Sequence, residues 1–228
     1  MRSTEARRSF VARLGAGAAA FGALFVAGGS SRAQAQAASS PTWQPARHPQ
    51  DDWLDQLPGK HRCFFDSTTP DELVDAMSFA GNYFTANKNV YGLENSDLVV
   101  VIGLRHRSAP FAYTDAIWAK YGATLAARAQ FTDPKISQTP TTNPYAPAES
   151  GASGSRAGGL TTLIGRGARV SVCDLSTHGI AAMIAQKVGG KAETIYAELA
   201  ANLIGNARLV PAGIIAVNRA QEHGYTLM

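Results

Sequence analysis

Leu98-Val99-Val100-Val101-Ile102 is an unbroken run of large apolar residues, mostly β-branched, closed by Gly103. A strand with no polar face must be covered on both sides, as strands are in parallel sheets packed between helices. That one segment excludes a solvent-faced antiparallel sheet as its home and demands helical patterns before and after it. Both are present. Thr69-Pro70-Asp71-Glu72 combines a capping residue, proline at the first helical position and the T-x-x-E pattern. Behind it Leu73, Met77, Ala80 and Phe84 recur at helical spacing, predicting a helix to about Asn87. Thr114-Asp115 predicts the start of a second helix carrying Ile117, Trp118, Tyr121 and Leu125.

The same alternation fills the rest of the chain. His61 to Asp66 reads as the first strand and the run just described as the second. Leu160 to Ile164 reads as a short helix ending at Gly165 or Gly167, and Arg169 to Cys173 as the third strand. Ser176 or Thr177 caps the next helix, with Ile180, Met183, Ile184 and Val188 on one face, and Gly189-Gly190 breaks it. A helix with Ile195, Leu199 and Leu203 follows. Arg208 to Val210 is a fourth strand, Ile214 to His223 a last helix closed by Gly224, and Tyr225 to Leu227 a fifth strand. Strands alternating with helices predict an α/β domain with a mainly parallel five-stranded sheet and helices on both faces.

The chain of 228 residues opens on a leader. Arg2, Arg7, Arg8 and Arg13 precede an uncharged stretch of 14 residues, Leu14 to Ala27, and then a small-residue segment with A-x-A sites ending at Ala35 or Ala37. Arg7-Arg8-Ser9-Phe10-Val11 resembles the twin-arginine export motif, with Ala6 and Ala12 as departures from the fuller pattern. The apolar stretch falls short of the ~20 residues a spanning helix needs. The expectation is a signal peptide over 1–37, passage through the twin-arginine translocase, and a periplasmic mature protein. The leader also holds five arginines and one glutamate of the chain's 21 Lys+Arg and 17 Asp+Glu, leaving 16 against 16. A neutral mature chain argues against nucleic acid as a partner.

Residues 38–60, with Pro41, Pro45, Pro49, Pro58 and Gly59, read as an extended polar arm, and residues 61–228 as one domain. Inside that domain, 132–159 is rich in Pro, Gly, Ser, Thr and Asn and reads as a flexible insertion.

In an open α/β sheet, ligands meet the carboxyl ends of the strands. Asp66-Ser67-Thr68, Arg105-His106-Arg107 and Cys173 fall there. Cys173 sits between a strand and a helix start, whose positive end favours a thiolate. Arg105 or Arg107 from the neighbouring strand end would add to that, and Asp174 would oppose it. A reactive sulfur and a space-filling buried thiol are both open readings. His178, one turn on, is a possible helper. Arg105, His106 and Arg107 read either as an anion site for a sulfur oxyanion or small acid, or as a solvated turn. Cys63, beside Phe64 and Phe65, reads as core, and a bond between Cys63 and Cys173 stays open. Cys173, His178 and His106 lack a standard zinc spacing and a fourth ligand, so no metal is expected. The glycine-rich phosphate loops are missing, so no nucleotide cofactor is expected. Gly151-Ala152-Ser153-Gly154 breaks the nucleophile-elbow pattern.

The segments Gly167 to Cys173, Leu209-Val210-Pro211-Ala212-Gly213-Ile214-Ile215 and Gln221-Glu222-His223-Gly224-Tyr225 resemble the DsrE/DsrF-like (sulfur-relay, YchN-like) superfamily. The resemblance covers 61–228 apart from the insertion. It implies a three-layer α/β/α fold, a homo-oligomer (trimer or hexamer), and a persulfide carried at Cys173 with a sulfur-donor or acceptor protein as partner. The small-residue segment that follows the family's cysteine is here Asp174-Leu175-Ser176-Thr177-His178. Three readings therefore stand: a sulfur-handling protein, a non-catalytic module binding a small anion, and an oligomeric partner protein.

Overall fold

The central strand is buried along its whole length. A computed structural model describes residues 44–133, 137–146 and 159–228. In it β2 (Leu98–Leu104) has all seven residues buried and lies in the middle of five strands ordered β4-β3-β2-β1-β5. The others are β1 (His61–Ser67), β3 (Arg169–Cys173), β4 (Ala207–Val210) and β5 (Thr226–Leu227), and every pairing is parallel. The expected α/β/α architecture with a five-stranded sheet is what the chain adopts. The leader 1–37, the first part of the arm and the Gly151–Gly154 segment lie outside the described residues.

The two faces are unequal. On one, Val100, Ile102 and Leu104 of β2 and Val170 and Val172 of β3 pack under five helices. These are α1 (Pro70–Tyr91), α2 (Asp115–Ala129), α3 (Gly159–Gly165), α4 (Asp174–Val188) and α5 (Ala192–Ala201). On the other, Phe64, Val99 and Val101 meet α6 (Gly213–Glu222) through Ala216, Val217 and Ala220, together with Trp53, Leu54 and Tyr225. The topology explains the imbalance. Strands β1 to β4 step one place at a time in one direction, and crossovers of one hand leave their helices on one face. Only the return from β4 across the sheet to β5 runs the other way, and its helix covers the second face.

Local signals set the helix ends. Thr69 Oγ1 accepts the Glu72 N–H at 3.2 Å and Pro70 opens α1. The Glu72 carboxylate reaches Thr68, whose N–H donates to it at 2.7 Å. The Thr68 hydroxyl donates to the same oxygen, and these bonds, the hydroxyl's first, hold the Glu72 carboxyl below the usual carboxylate range. The helix then runs four residues beyond Asn87, to Tyr91, because its stop is Gly92 in the left-handed region (φ 67°). Thr114 takes the N-cap position of α2 without a side-chain cap bond. Helix α4 starts earlier than its Ser and Thr suggest. Asp174 is its first residue and Cys173 itself is the N-cap.

Two segments expected to be loose are tied down where they are described. Pro49–Leu54 forms a 3-10 turn with Trp53 and Leu54 buried. The Tyr225 hydroxyl donates to Leu54 O at 2.7 Å, and the Arg208 guanidinium lies 4.7 Å from the Trp53 ring centroid. At the end of this turn Asp55 Oδ2 lies 2.9 Å from the buried Nδ1 of His223, an off-line contact across to the end of α6. This stretch is docked rather than an extended polar arm, because its few apolar residues cap the thin face. In the insertion, Asn143 is 1 % exposed. Its Nδ2 donates to Phe111 O (2.8 Å) and Tyr113 O (2.7 Å), and its Oδ1 accepts the N–H groups of Tyr145 (3.0 Å) and Ala146 (3.1 Å). Residues 134–136 and 147–158 lie outside the described residues.

Asn143→Ala leaves two buried carbonyls and two N–H groups unpaired, at roughly 1–3 kcal/mol for each group that water cannot reach. Denaturant unfolding should show a loss of about 2–5 kcal/mol, in the range of buried-network mutations. The thin face predicts an acid dependence. The His223 ring is the main cause that lowers the Asp55 carboxyl below its ordinary value of 3.8. A carboxylate depressed by folding stabilises the fold above its unfolded pKa and loses that contribution as pH falls through the folded one. Midpoints measured downward from pH 5 should therefore fall less steeply in Asp55→Asn than in the parent chain.

Candidate functional site

Sheet register brings three polar side chains to the carboxyl end on the thin face. In β1 Phe64 faces α6, and two residues on Asp66 shares that face. Gly103 of β2 sits against it, with no room for a side chain: an added Cβ would fall 2.7 Å from the Phe64 ring. Leu104 pairs with Val172, the last pair between β2 and β3, and Arg105 and Cys173 are the residues that follow it at the two strand ends. Gly213, first residue of α6, closes over the pair, since a Cβ there would lie 2.6 Å from Arg105 Cβ.

Cys173 is a free thiol, 7 % exposed. Its Sγ accepts the backbone N–H of Ser176 at 3.4 Å, so the sulfur fills the N-cap role usually taken by an oxygen. Its carbonyl accepts from Thr177 Oγ1 at 3.2 Å. That hydroxyl in turn accepts from the buried Tyr113 hydroxyl at 3.0 Å, and burial pushes the Tyr113 phenol pKa up.

The three residues Arg105-His106-Arg107 do not converge. Arg105 makes a bidentate pair with Asp66, Nε to Oδ1 at 3.0 Å and Nη2 to Oδ2 at 2.7 Å. Hydrogen bonding to Asp66 raises the Arg105 pKa, and the nearby Cys173 adds to the rise. Its charge is thus balanced by Asp66 before any ligand arrives. His106 adopts the left-handed region (φ 55°), unfavourable for a residue with a Cβ. Its N–H donates to Ser176 Oγ at 3.1 Å, and its Nδ1 lies 3.4 Å from Arg128 Nη2. Partial desolvation, then the guanidinium groups of Arg128, Arg107 and Arg105, lower its basicity. That left-handed turn breaks the strand alternation and sends Arg107 elsewhere. Its N–H donates to Thr68 O at 2.9 Å, and its Nη1 donates to Gln130.

His178 sits over α5 rather than on the sulfur. Its Nε2 lies 3.6 Å from Asp174 Oδ2. Its ring stacks on Tyr196 at 3.9 Å, and the Tyr196 hydroxyl donates to Asp174 Oδ1 at 2.7 Å. Among the described residues no three His, Cys, Asp or Glu side chains gather in a way that could hold a metal ion.

Cys63 is 2 % exposed in the thick core, and burial pushes its thiol pKa up. A bond to Cys173 is not formed. The register explains why. Cys63 pairs with Val100, five residues before Arg105 on β2, while Cys173 lies level with Arg105 one strand further on. Five residues of strand span about 16 Å, well beyond disulfide reach.

Sequence reasoning missed Ser176 as the residue that joins Cys173 to the His106 turn. It also missed Ser108, whose Oγ donates to Ser67 O (2.8 Å) and accepts Arg105 N–H (3.0 Å), fixing the loop after β2. The local spacing Arg105-x-x-Ser108, with a serine one residue beyond Asp66, carries that signal.

Among the described residues no helix is long and apolar enough to cross a membrane. Set against protein-family models, curated proteins and solved structures, the chain matches none of them. Exposure and position separate the two thiols. Brief alkylation of the native protein followed by peptide mass analysis should label Cys173, with Cys63 labelled at the same rate only once the protein is unfolded. Equal native labelling would contradict the burial described for Cys63.

Proposed function

We infer that the chain handles sulfane sulfur through Cys173, as an exported DsrE-like protein. One observation carries this reading. Cys173 ends β3 and its sulfur caps α4, held by the Ser176 N–H, with Arg105 just past the end of the neighbouring strand. The Ser176 N–H, in the first turn of α4, is directed at the sulfur and is a donor for a sulfur atom held at that point. The step is a displacement on sulfur. The Cys173 thiolate attacks a terminal sulfur of a polysulfide, a new S–S bond forms, and the shortened polysulfide leaves with the electron pair of the broken bond. The product is Cys173 persulfide, and no outside oxidant or reductant is consumed. The reverse displacement, by the thiolate of an acceptor protein, returns the chain to its starting state.

The leader supports export through the twin-arginine route, and the near-neutral mature chain supports protein or small-molecule partners over nucleic acid. Ile214 and Ile215, exposed at the start of α6 beside Gly213, support self-association of the kind the family resemblance implies.

Mass spectrometry tests the sulfur reading directly. After incubation with polysulfide, the chain should gain one sulfur on Cys173, and the Cys173→Ser variant should gain none. An unmodified Cys173 under conditions that persulfidate a control thiol would overturn the reading. Asp66→Asn offers a second check, since it releases Arg105 from its carboxylate. The rate of sulfur uptake should then rise as the unbalanced guanidinium turns toward the anionic donor.

A further inference from the structure

The other face of the sheet end holds a separate cavity. It opens between the start of α1 and the end of α2 and has a volume of about 530 Å³, within the range of small-molecule sites. Its apolar walls include Pro70, Val74, Phe131 and Tyr145. Phe131 and Tyr145 meet edge to face at 5.6 Å, and both pack on Phe111, at 5.4 and 4.5 Å. The Tyr145 backbone is pinned by Asn143 Oδ1. This wall is therefore formed in advance of any ligand.

Arg107 supplies the polar side. Its Nη1 is used on Gln130, but its Nε is buried and has no hydrogen-bond partner. No carboxylate pairs with it among the described residues. A guanidinium without a carboxylate partner suits the carboxylate of a ligand, met on its accessible nitrogens. The Tyr145 hydroxyl also makes no hydrogen bond among the described residues. Burial first, then Asp71 and Asp133, push its pKa up to about 12, so it stays a donor. The same acids limit the charge a ligand can bring. Asp71 stands exposed at the rim, so one negative charge is matched by Arg107 and a second is repelled.

We propose that this cavity binds a small organic acid by a single carboxylate, held on the guanidinium of Arg107 beside the Tyr145 hydroxyl, with its apolar body against Phe131, Val74 and Pro70. The cavity shares no lining residue with Cys173, Arg105, His106 or Ser176. The proposal stands or falls independently of the sulfur reading.

Calorimetric titration and thermal unfolding of the full chain with benzoate test it, with benzamide, acetate and sulfate as comparisons. Benzoate should bind saturably and raise the unfolding midpoint. Benzamide, which lacks the charge, and acetate, which lacks the apolar body, should each bind roughly tenfold or more weakly. Arg107→Gln should weaken benzoate by a similar factor of about ten, with the midpoint of the unliganded protein measured alongside to separate loss of the Gln130 bond from loss of the ligand contact. Tyr145→Phe should weaken it by a smaller factor, about threefold. Three results would overturn the proposal: no saturable benzoate binding up to roughly 10 mM, sulfate binding as well as benzoate, or benzoate binding unchanged in Arg107→Gln.

Discussion

Burial of β2 on both faces is the constraint from which the rest of the arrangement follows. Its seven residues have no solvent side, so both neighbouring strands and both covering layers are obligatory. Its backbone is satisfied by β1 on one side and β3 on the other. Polar chemistry is thereby excluded from the middle of the sheet and confined to where the strands end. That is where Asp66, Arg105 and Cys173 sit, one from each of three adjacent strands.

At that edge a single backbone inversion decides which side chains can act together. Arg105 continues the strand and shares a face with Asp66 and Cys173. His106 at φ 55° turns the chain, and Arg107 leaves for the opposite side. The inversion is held by bonds from two directions, Ser108 to the end of β1 and Ser176 from the start of α4. Strained backbone of this kind costs of order 1–3 kcal/mol and persists only where its surroundings enforce it. Arg105 and Arg107 thus reach two separate places, the Cys173 side of the sheet end and the cavity between α1 and α2.

The fold was legible because its signals are local. The apolar run of β2, the Thr69-Pro70-Asp71-Glu72 start and the glycines after helices each act within a few residues. Strand order, the unequal faces and the docking of Trp53 and Leu54 were not legible, since they depend on partners far along the chain, more than a hundred residues away for β1 and β5 and for Leu54 and Tyr225. Of the site, the position of Cys173 at a strand end was readable from its neighbours. Its role as the cap was not, because serine and threonine three and four residues later are better oxygen caps by type. The scattering of Arg105, His106 and Arg107 was hidden for a similar reason. A non-glycine residue in the left-handed region gives no sequence warning. Asn143 looked like one polar residue in a loop of many, and only the carbonyls of Phe111 and Tyr113 single it out.

The thin face also bears on how the chain is made. Its cover comes from the two ends of the domain, with Trp53 and Leu54 contributed early and α6 and β5 contributed last. The first strand borders the final one, so the outer edge of β1 has no partner until the C-terminal residues emerge. During synthesis, four strands and the thick layer can assemble while one side of the sheet still presents Phe64, Val99 and Val101 to water. Contacts of such long sequence separation close slowly, and an open edge beside exposed apolar residues invites association with other chains. Residues Gly213 to Met228 therefore act as the latch of the sheet. A nascent chain halted before them leaves that face uncovered and the outer edge of β1 unpaired.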